Sequence, residues 1–249
     1  MRLNKSLRIV ALSVAVAITG ASYAAEEKAT EEAKEALVKK AEEKFRATFS
    51  RTAASINGFQ PSPIEGIYEM QTQNGIIYFE PKGEHLIFGK IYSKDGEDLT
   101  AKAEKVHNLD IMGRLPLDQA LVLGNPEAET TLVEFSSPEC GYCVNYERWT
   151  RLQPEGNVKR LVFFLVGPEG IARDKAVHVL CHPEDYAAIY DRREIALDTC
   201  DEGIARLKHH SAAVRMAGPT GTPSFIADGK PFVGFDETTL TKLYRNTKS

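Results

Sequence analysis

The chain is poor in several things. Four cysteines in 249 residues are too few for a disulfide scaffold of that length, so the fold must rest on a buried core. There is no excess of positive charge. The 31 basic residues face 35 acidic ones, for a formal charge of −4, which leaves nothing to hold a phosphate backbone and excludes nucleic acid as a partner. Beyond the first 25 residues no apolar run approaches the roughly 20 residues that span a bilayer. No internal repeat is visible, so the fold is not an array of similar units. What is present in quantity is apolar: 43% hydrophobic residues against 27% charged ones exclude disorder over most of the chain.

Residues 1–24 have the form of a secretory signal. Arg2, Lys5 and Arg8 make a basic start, Ile9 to Ile18 is apolar, and Ser22 and Ala24 supply small residues for cleavage after about Ala24. The alternative, an uncleaved anchor, is disfavoured because the apolar stretch is short. Removing those three basic residues takes the chain from −4 to −7. Export implies an oxidising compartment, where disulfide chemistry is at home.

Residues 26–49 are rich in Glu, Lys and Ala and contain no Gly or Pro. Ala29, Ala33, Leu37, Ala41, Phe45 and Phe49 recur at four-residue steps, which predicts a charged helix with one docked face; a self-association device is the alternative. Ile67–Thr72 and Ile76–Glu80 are strand-like and separated by Asn74-Gly75, a hairpin signal. A third strand is expected over His85–Tyr92. So small a sheet needs something to pair with, and an exposed edge is a template for a second copy. Residues 102–119, broken by Gly113 and Pro116, are expected to be a partly helical linker. From Ala120 onward the pattern is α/β: strands at Ala120–Leu123, Thr131–Phe135 and Leu161–Val166, a long helical stretch over about 170–217, a hairpin of Ser224–Ala227 and Lys230–Val233 about Asp228-Gly229, and a closing helix over Thr238–Asn246.

The chemistry concentrates at Cys140-Gly141-Tyr142-Cys143. This CxxC follows a strand directly and opens a helix, a context that points to a redox pair. A helix start carries about half a positive charge and unpaired N–H donors, which stabilise a thiolate. The second cysteine lies about one turn on and can reach back to close a disulfide. Cys140 is therefore the candidate nucleophile and Cys143 the resolving thiol. A thiolate stabilised by about 1.4 kcal/mol corresponds to about 30 mV of oxidising power. Glu139 works against it, since an adjacent carboxylate disfavours a second negative charge. Zinc is the competing reading of CxxC, but a second close pair of ligands is missing, even with His178 and His182 near Cys181. Cys181 and Cys200 are suited to a structural disulfide, whose loop would contribute about 3 kcal/mol; a second redox pair and two free thiols are the alternatives. Thr222-Pro223 heads a strand, where a proline fits either a cis turn or an ordinary trans one.

Taken in this order, the residues resemble the DsbC/DsbG-type periplasmic thiol:disulfide isomerases of the thioredoxin-fold superfamily. CGYC is shared with that family, as is the stretch from Gly66-Ile67-Tyr68 through Gly75-Ile76-Ile77-Tyr78-Phe79 to Gly83–Gly89. The resemblance implies an α/β thioredoxin-like catalytic domain with a helical insertion (120–249), preceded by a small α+β, cystatin-like dimerisation domain (25–101) and a linker (102–119). It implies that Cys140 attacks substrate disulfides and Cys143 resolves them. It further implies that Cys181 pairs with Cys200, that Pro223 is cis after Thr222, and that Gly141, Tyr142, Thr222 and Pro223 contact substrate. Glu134, six residues before Cys140, stands where thioredoxins place a buried proton acceptor; a surface-facing strand residue is the alternative. The implied partners are misoxidised exported proteins, a second copy of the chain and a DsbD-type membrane reductase, with chaperone activity and with neither cofactor nor metal. A DsbA-like oxidase and a chaperone with secondary redox activity are the competing functions.

Overall fold

The computed structural model describes residues 31–53, 56–72, 75–154 and 156–245. The signal expected over 1–24, the start of the Glu/Lys-rich stretch, Asn74 of the expected hairpin turn and Asn246 lie outside the described residues. The chain divides into two compact units between Gly89 and Lys90.

In the first unit, helix α1 (31–48) and the short α2 (Ser50–Ala53) precede four strands: β1 (Ile56–Pro61), β2 (Tyr68–Thr72), β3 (Gly75–Glu80) and β4 (His85–Ile87). They form an antiparallel meander in the order β1-β2-β3-β4. The alternation of β2 and β3 turns Met70 and Phe79 inward against Phe45 of α1. Phe45 and Phe79 meet edge-on at 5.5 Å, a favoured aromatic geometry. The docked face of α1 is thus its second half, Ala41 and Phe45, while Leu37 is exposed. One strand was not expected and one expectation changes. Strand β1 has no clear alternation, and a register irregularity between Ile56 and Gly58 breaks its pattern. The third strand expected over His85–Tyr92 ends at Ile87, and Tyr92 instead bridges Asp98 in the second unit.

The second unit opens with α3 (Leu99–Arg114), capped by the Asp98 carboxylate, which accepts from the Ala101 N–H. The expected linker over 102–119 is therefore mostly this helix, with Ile111 and Leu115 in the core. Its apolar residues are spread around the helix, with Val106 and Leu109 exposed, so no stripe marks it in the sequence. Strands β5 (Leu121–Gly124), β6 (Thr130–Ser136), β7 (Val158–Phe164), β8 (Ser224–Ala227) and β9 (Lys230–Val233) form one sheet in the order β5-β7-β6-β8-β9. Strands β6 and β7 are parallel, joined through α4 (Gly141–Thr150), and the other pairings are antiparallel. One face packs Val133, Phe135 and Phe163 against α3 and Ala213 of α7 (Asp201–Ala217). The other packs Leu132 and Phe225 against Tyr146 and Trp149 of α4 and Leu240 of α8 (Glu237–Tyr244). This is a thioredoxin-like α/β layer with β6 at its centre. The helical stretch expected over about 170–217 is interrupted. It runs as α5 (Ile171–Cys181), a turn at Pro183–Asp185, α6 (Tyr186–Tyr190) and, after a non-helical 191–200, α7.

One buried polar contact ties α7 to the sheet. His210 accepts from the Phe164 N–H through Nδ1 at 3.0 Å, and its Nε2 faces the Gln119 carbonyl at 2.9 Å. Burial pushes its pKa down to about 4. Below the unfolded value of about 6.5 the unfolded chain takes up a proton that the folded one refuses. Stability should therefore fall as pH drops from 6.5 towards 4, by about 3 kcal/mol. Urea unfolding across that window would reveal it, and His210→Gln should flatten that part of the slope.

Candidate active site

The first turn of α4 begins where β6 ends. Strand β6 delivers the chain to Ser136, and the turn Ser137-Pro138-Glu139 closes with the Cys140 N–H bonded to the Ser137 carbonyl at 3.1 Å. Cys140 is the N-cap residue of α4, with extended backbone, and its sulfur accepts from the Cys143 N–H at 3.4 Å. It takes the place that Ser, Thr, Asp or Asn usually fill, so the cap becomes a thiol whose ionised form the helix start favours. Gly141 offers no side chain beside it, and a Cβ there would meet nothing within 4 Å. Tyr142 stands out from the surface, 70% exposed.

The two thiols are free and unlike each other. Cys140 is half-buried; Cys143 is 1% exposed, packed among Val144, Val162 and Tyr190. Burial alone would raise the Cys140 pKa. Hydrogen bonding with the Thr222 side chain, then with the Cys143 thiol and the N–H groups of Cys143 and Tyr142, outweighs it, so Cys140 titrates below the ordinary thiol value. At Cys143 burial wins and pushes the thiol up to about 12. The Cys140 thiol donates to the Thr222 carbonyl at 3.2 Å. That residue precedes a cis Thr222–Pro223 peptide bond, and Pro223 holds the neighbouring strand end by accepting from the Gly234 N–H at 2.7 Å.

Beneath α4, on the same face of β6, lie Glu134 and Ser136. Glu134 is fully buried, as the acceptor reading of that position requires, and not on the surface. Arg160 of β7 donates to its Oε2 through Nε at 3.0 Å and Nη2 at 2.9 Å. The same Nη2 reaches Glu147 of α4 at 2.8 Å, and the Tyr186 hydroxyl donates to that carboxylate at 3.1 Å. The guanidinium also lies 5.0 Å over the Tyr146 ring. Glu134 Oε1 is left without a hydrogen-bond partner. Burial raises the Glu134 pKa, Glu147 adds to the rise, and Arg160 opposes it. Ser136 shares a 2.8 Å hydrogen bond with Tyr190, whose hydroxyl feels both Glu134 and Cys143.

Away from the dithiol, Cys181 and Cys200 are joined by a disulfide between the end of α5 and the cap of α7. Gly203 lies against it; a Cβ there would sit 2.5 Å from the Cys181 sulfur. Among the described residues no cluster of three or more His, Cys, Asp or Glu side chains could hold a metal. Sequence reasoning missed Arg160, Glu147, Lys175 and Arg192. None left a clear trace: Arg160 stands next to Lys159, just before the apolar run that begins at Leu161.

The family model described as the disulfide bond isomerase protein N-terminal domain, DsbC_N, matches residues 23–101. The thiol:disulfide interchange protein DsbC of Escherichia coli K12 is 24% identical over 188 residues, covering 73% of this chain and 77% of that protein. DsbC of Salmonella typhimurium is 25% identical over 189 residues, with the same coverage. Among solved structures, the thiol-disulfide exchange protein alpha-DsbA2 from Wolbachia pipientis aligns with a TM-score of 0.49 at 16% identity, over 61% of this chain and all of that one.

Arg160→Met would leave two carboxylates buried without the guanidinium they share. It should lower stability by about 3–5 kcal/mol at pH 7, with partial recovery at pH 5 as Glu134 takes up a proton. Urea midpoints at the two pH values measure this, and an unchanged midpoint would show that the buried pair contributes nothing.

With residues 23–101 matched by the isomerase N-terminal domain model, and with curated DsbC sequences aligned over about three quarters of their length, the chain is similar to the DsbC-type isomerases and is a thiol:disulfide oxidoreductase.

Proposed function

We propose that the protein rearranges incorrect disulfides in exported proteins of the periplasm, with Cys140 as nucleophile and Cys143 as resolving thiol. The observation that carries this reading is the inequality of the pair: one sulfur half-exposed at a helix start and inclined to ionise, the other buried and inclined to keep its proton. The Cys140 thiolate attacks one sulfur of a substrate disulfide. That bond breaks, a mixed disulfide forms, and the second substrate sulfur leaves as a thiolate that takes up a proton. A different substrate thiolate can then displace Cys140, so the disulfide has moved and no electrons are gained or lost. When no such thiol arrives, Cys143 attacks Cys140, releasing reduced substrate and an oxidised CGYC. Glu134 is the group to accept the Cys143 proton, since it is buried in the same layer with a raised pKa. Tyr142, Thr222 and Pro223 border the sulfur and would meet the substrate chain, with Gly141 leaving the approach open.

The N-terminal unit is then a dimerisation device, as the match to the isomerase domain supports. Loose retention of misfolded clients would give chaperone activity. The signal over 1–24 is cleaved on export, and a DsbD-type membrane reductase returns the dithiol to its reduced form.

Reactivation of a scrambled multi-disulfide substrate tests this. Cys140→Ala should abolish isomerisation. A chain starting at Lys90, which keeps α3 on its own core, should retain dithiol reactivity but lose most isomerisation; equal isomerisation would refute the role of the N-terminal unit. Glu134→Gln should slow release of the mixed disulfide by about tenfold or more while leaving its formation intact.

A further inference from the structure

We propose that Lys175 and Arg192 are positioning residues that turn Glu139, the carboxylate next to the nucleophile, from an obstacle to the Cys140 thiolate into part of its support. This rests on Cys140 being the nucleophile. Glu139 precedes Cys140 directly, and a bare carboxylate there would oppose a second negative charge. Instead each of its oxygens is taken by a different cation. Lys175 of α5 donates to Oε1 at 2.7 Å, and Arg192, just beyond α6, donates to Oε2 at 3.0 Å. The second nitrogen of Arg192 donates to the Glu139 backbone carbonyl at 3.2 Å. The guanidinium therefore grips the turn that presents Cys140 as well as its side chain.

The backbone around Arg192 points the same way. Its N–H bonds to the Ile189 carbonyl at 3.1 Å, and the next N–H bonds to the Ala188 carbonyl at 3.0 Å, which closes the end of α6. The residue has φ 61°, a left-handed position that usually holds glycine. A side chain there is strained, and the two contacts with Glu139 account for having one. Lys175 is mostly buried, so its pairing with Glu139 is less screened than a surface pair.

The three groups sum to one positive charge beside Cys140. Several other charges on the packed elements are already committed. Arg173 pairs with Asp174 on α5, Asp191 is held by Arg151 and Arg193, and Cys143 keeps its proton. Hydrogen bonding to Lys175 holds the Glu139 carboxyl below its usual range, so the cluster stays ionised across the working pH.

Iodoacetamide alkylation of the full-length reduced protein, followed from pH 5 to 8 and mapped by peptide mass spectrometry, tests the proposal. At pH 6, Lys175→Met and Arg192→Gly should each slow Cys140 alkylation about threefold. The difference should shrink as pH rises, because the thiol becomes ionised in every variant. Glu139→Gln should speed the reaction at pH 6, since both cations stay and the carboxylate goes. Lys175→Arg should restore the wild-type rate. Arg192→Gly relieves the backbone and should not lower the thermal midpoint, which separates the effect from unfolding. Unchanged pH profiles in Lys175→Met and Arg192→Gly would overturn the proposal, as would a slowing that is equal at every pH. Labelling at Cys143 in place of Cys140 would instead refute the nucleophile assignment, and this proposal with it.

Discussion

Less than one turn of helix separates Cys140 from Cys143, yet the two sulfurs live in different solvents. The start of α4 sits at the end of the central strand, so the first sulfur meets free N–H donors and water while the second is turned into the apolar layer. Burial raises a thiol and hydrogen bonding lowers it, and the balance changes sign over three residues. A pair of equal thiols would have no preferred attacker. This pair has one, and it is set by burial at Cys143 and by side-chain and backbone hydrogen bonds at Cys140.

The layer beneath α4 is unusual for a core. Two carboxylates, one guanidinium and a tyrosine hydroxyl share it, all buried or nearly so. Charges there must pair well or neutralise. Arg160 gives both of its bonds with Glu134 to a single oxygen and shares one nitrogen with Glu147, so its compensation is divided. The leftover is a carboxyl oxygen with no hydrogen bond, on the face of β6 that leads through Ser136 to Cys143. A core built for stability alone would have filled that space with apolar groups; this one keeps a group able to hold a proton.

Much of this was legible in the sequence, and unevenly. The strand-then-CxxC pattern places Cys140 at a helix start because short-range geometry leaves little choice. The hairpin at Asp228-Gly229 was readable because both residues take positive φ, at 49° and 69°. Helix α3 was not readable as part of the second core, since its apolar residues mark no single face. Glu134 stood out by its spacing, but its partner Arg160 lies 26 residues away and meets it only through parallel pairing of β6 with β7. Lys175 comes from α5 and Arg192 from the turn after α6, and nothing local announces that they converge on Glu139. Periodicity finds elements; it does not find which charges a topology brings together.

The second cysteine pair has a bearing on how the molecule is made. Cys181 and Cys200 are joined, with the glycine at 203 pressed against them, while Cys140 and Cys143 stand open in the same unit. For the function proposed, each copy has one bond to acquire and one to do without. It cannot give itself the first, because a reduced dithiol donates electrons and does not accept them. A catalyst that repairs disulfides in other proteins is, at birth, a customer for an oxidant, and its two pairs must be told apart by where the fold has put them.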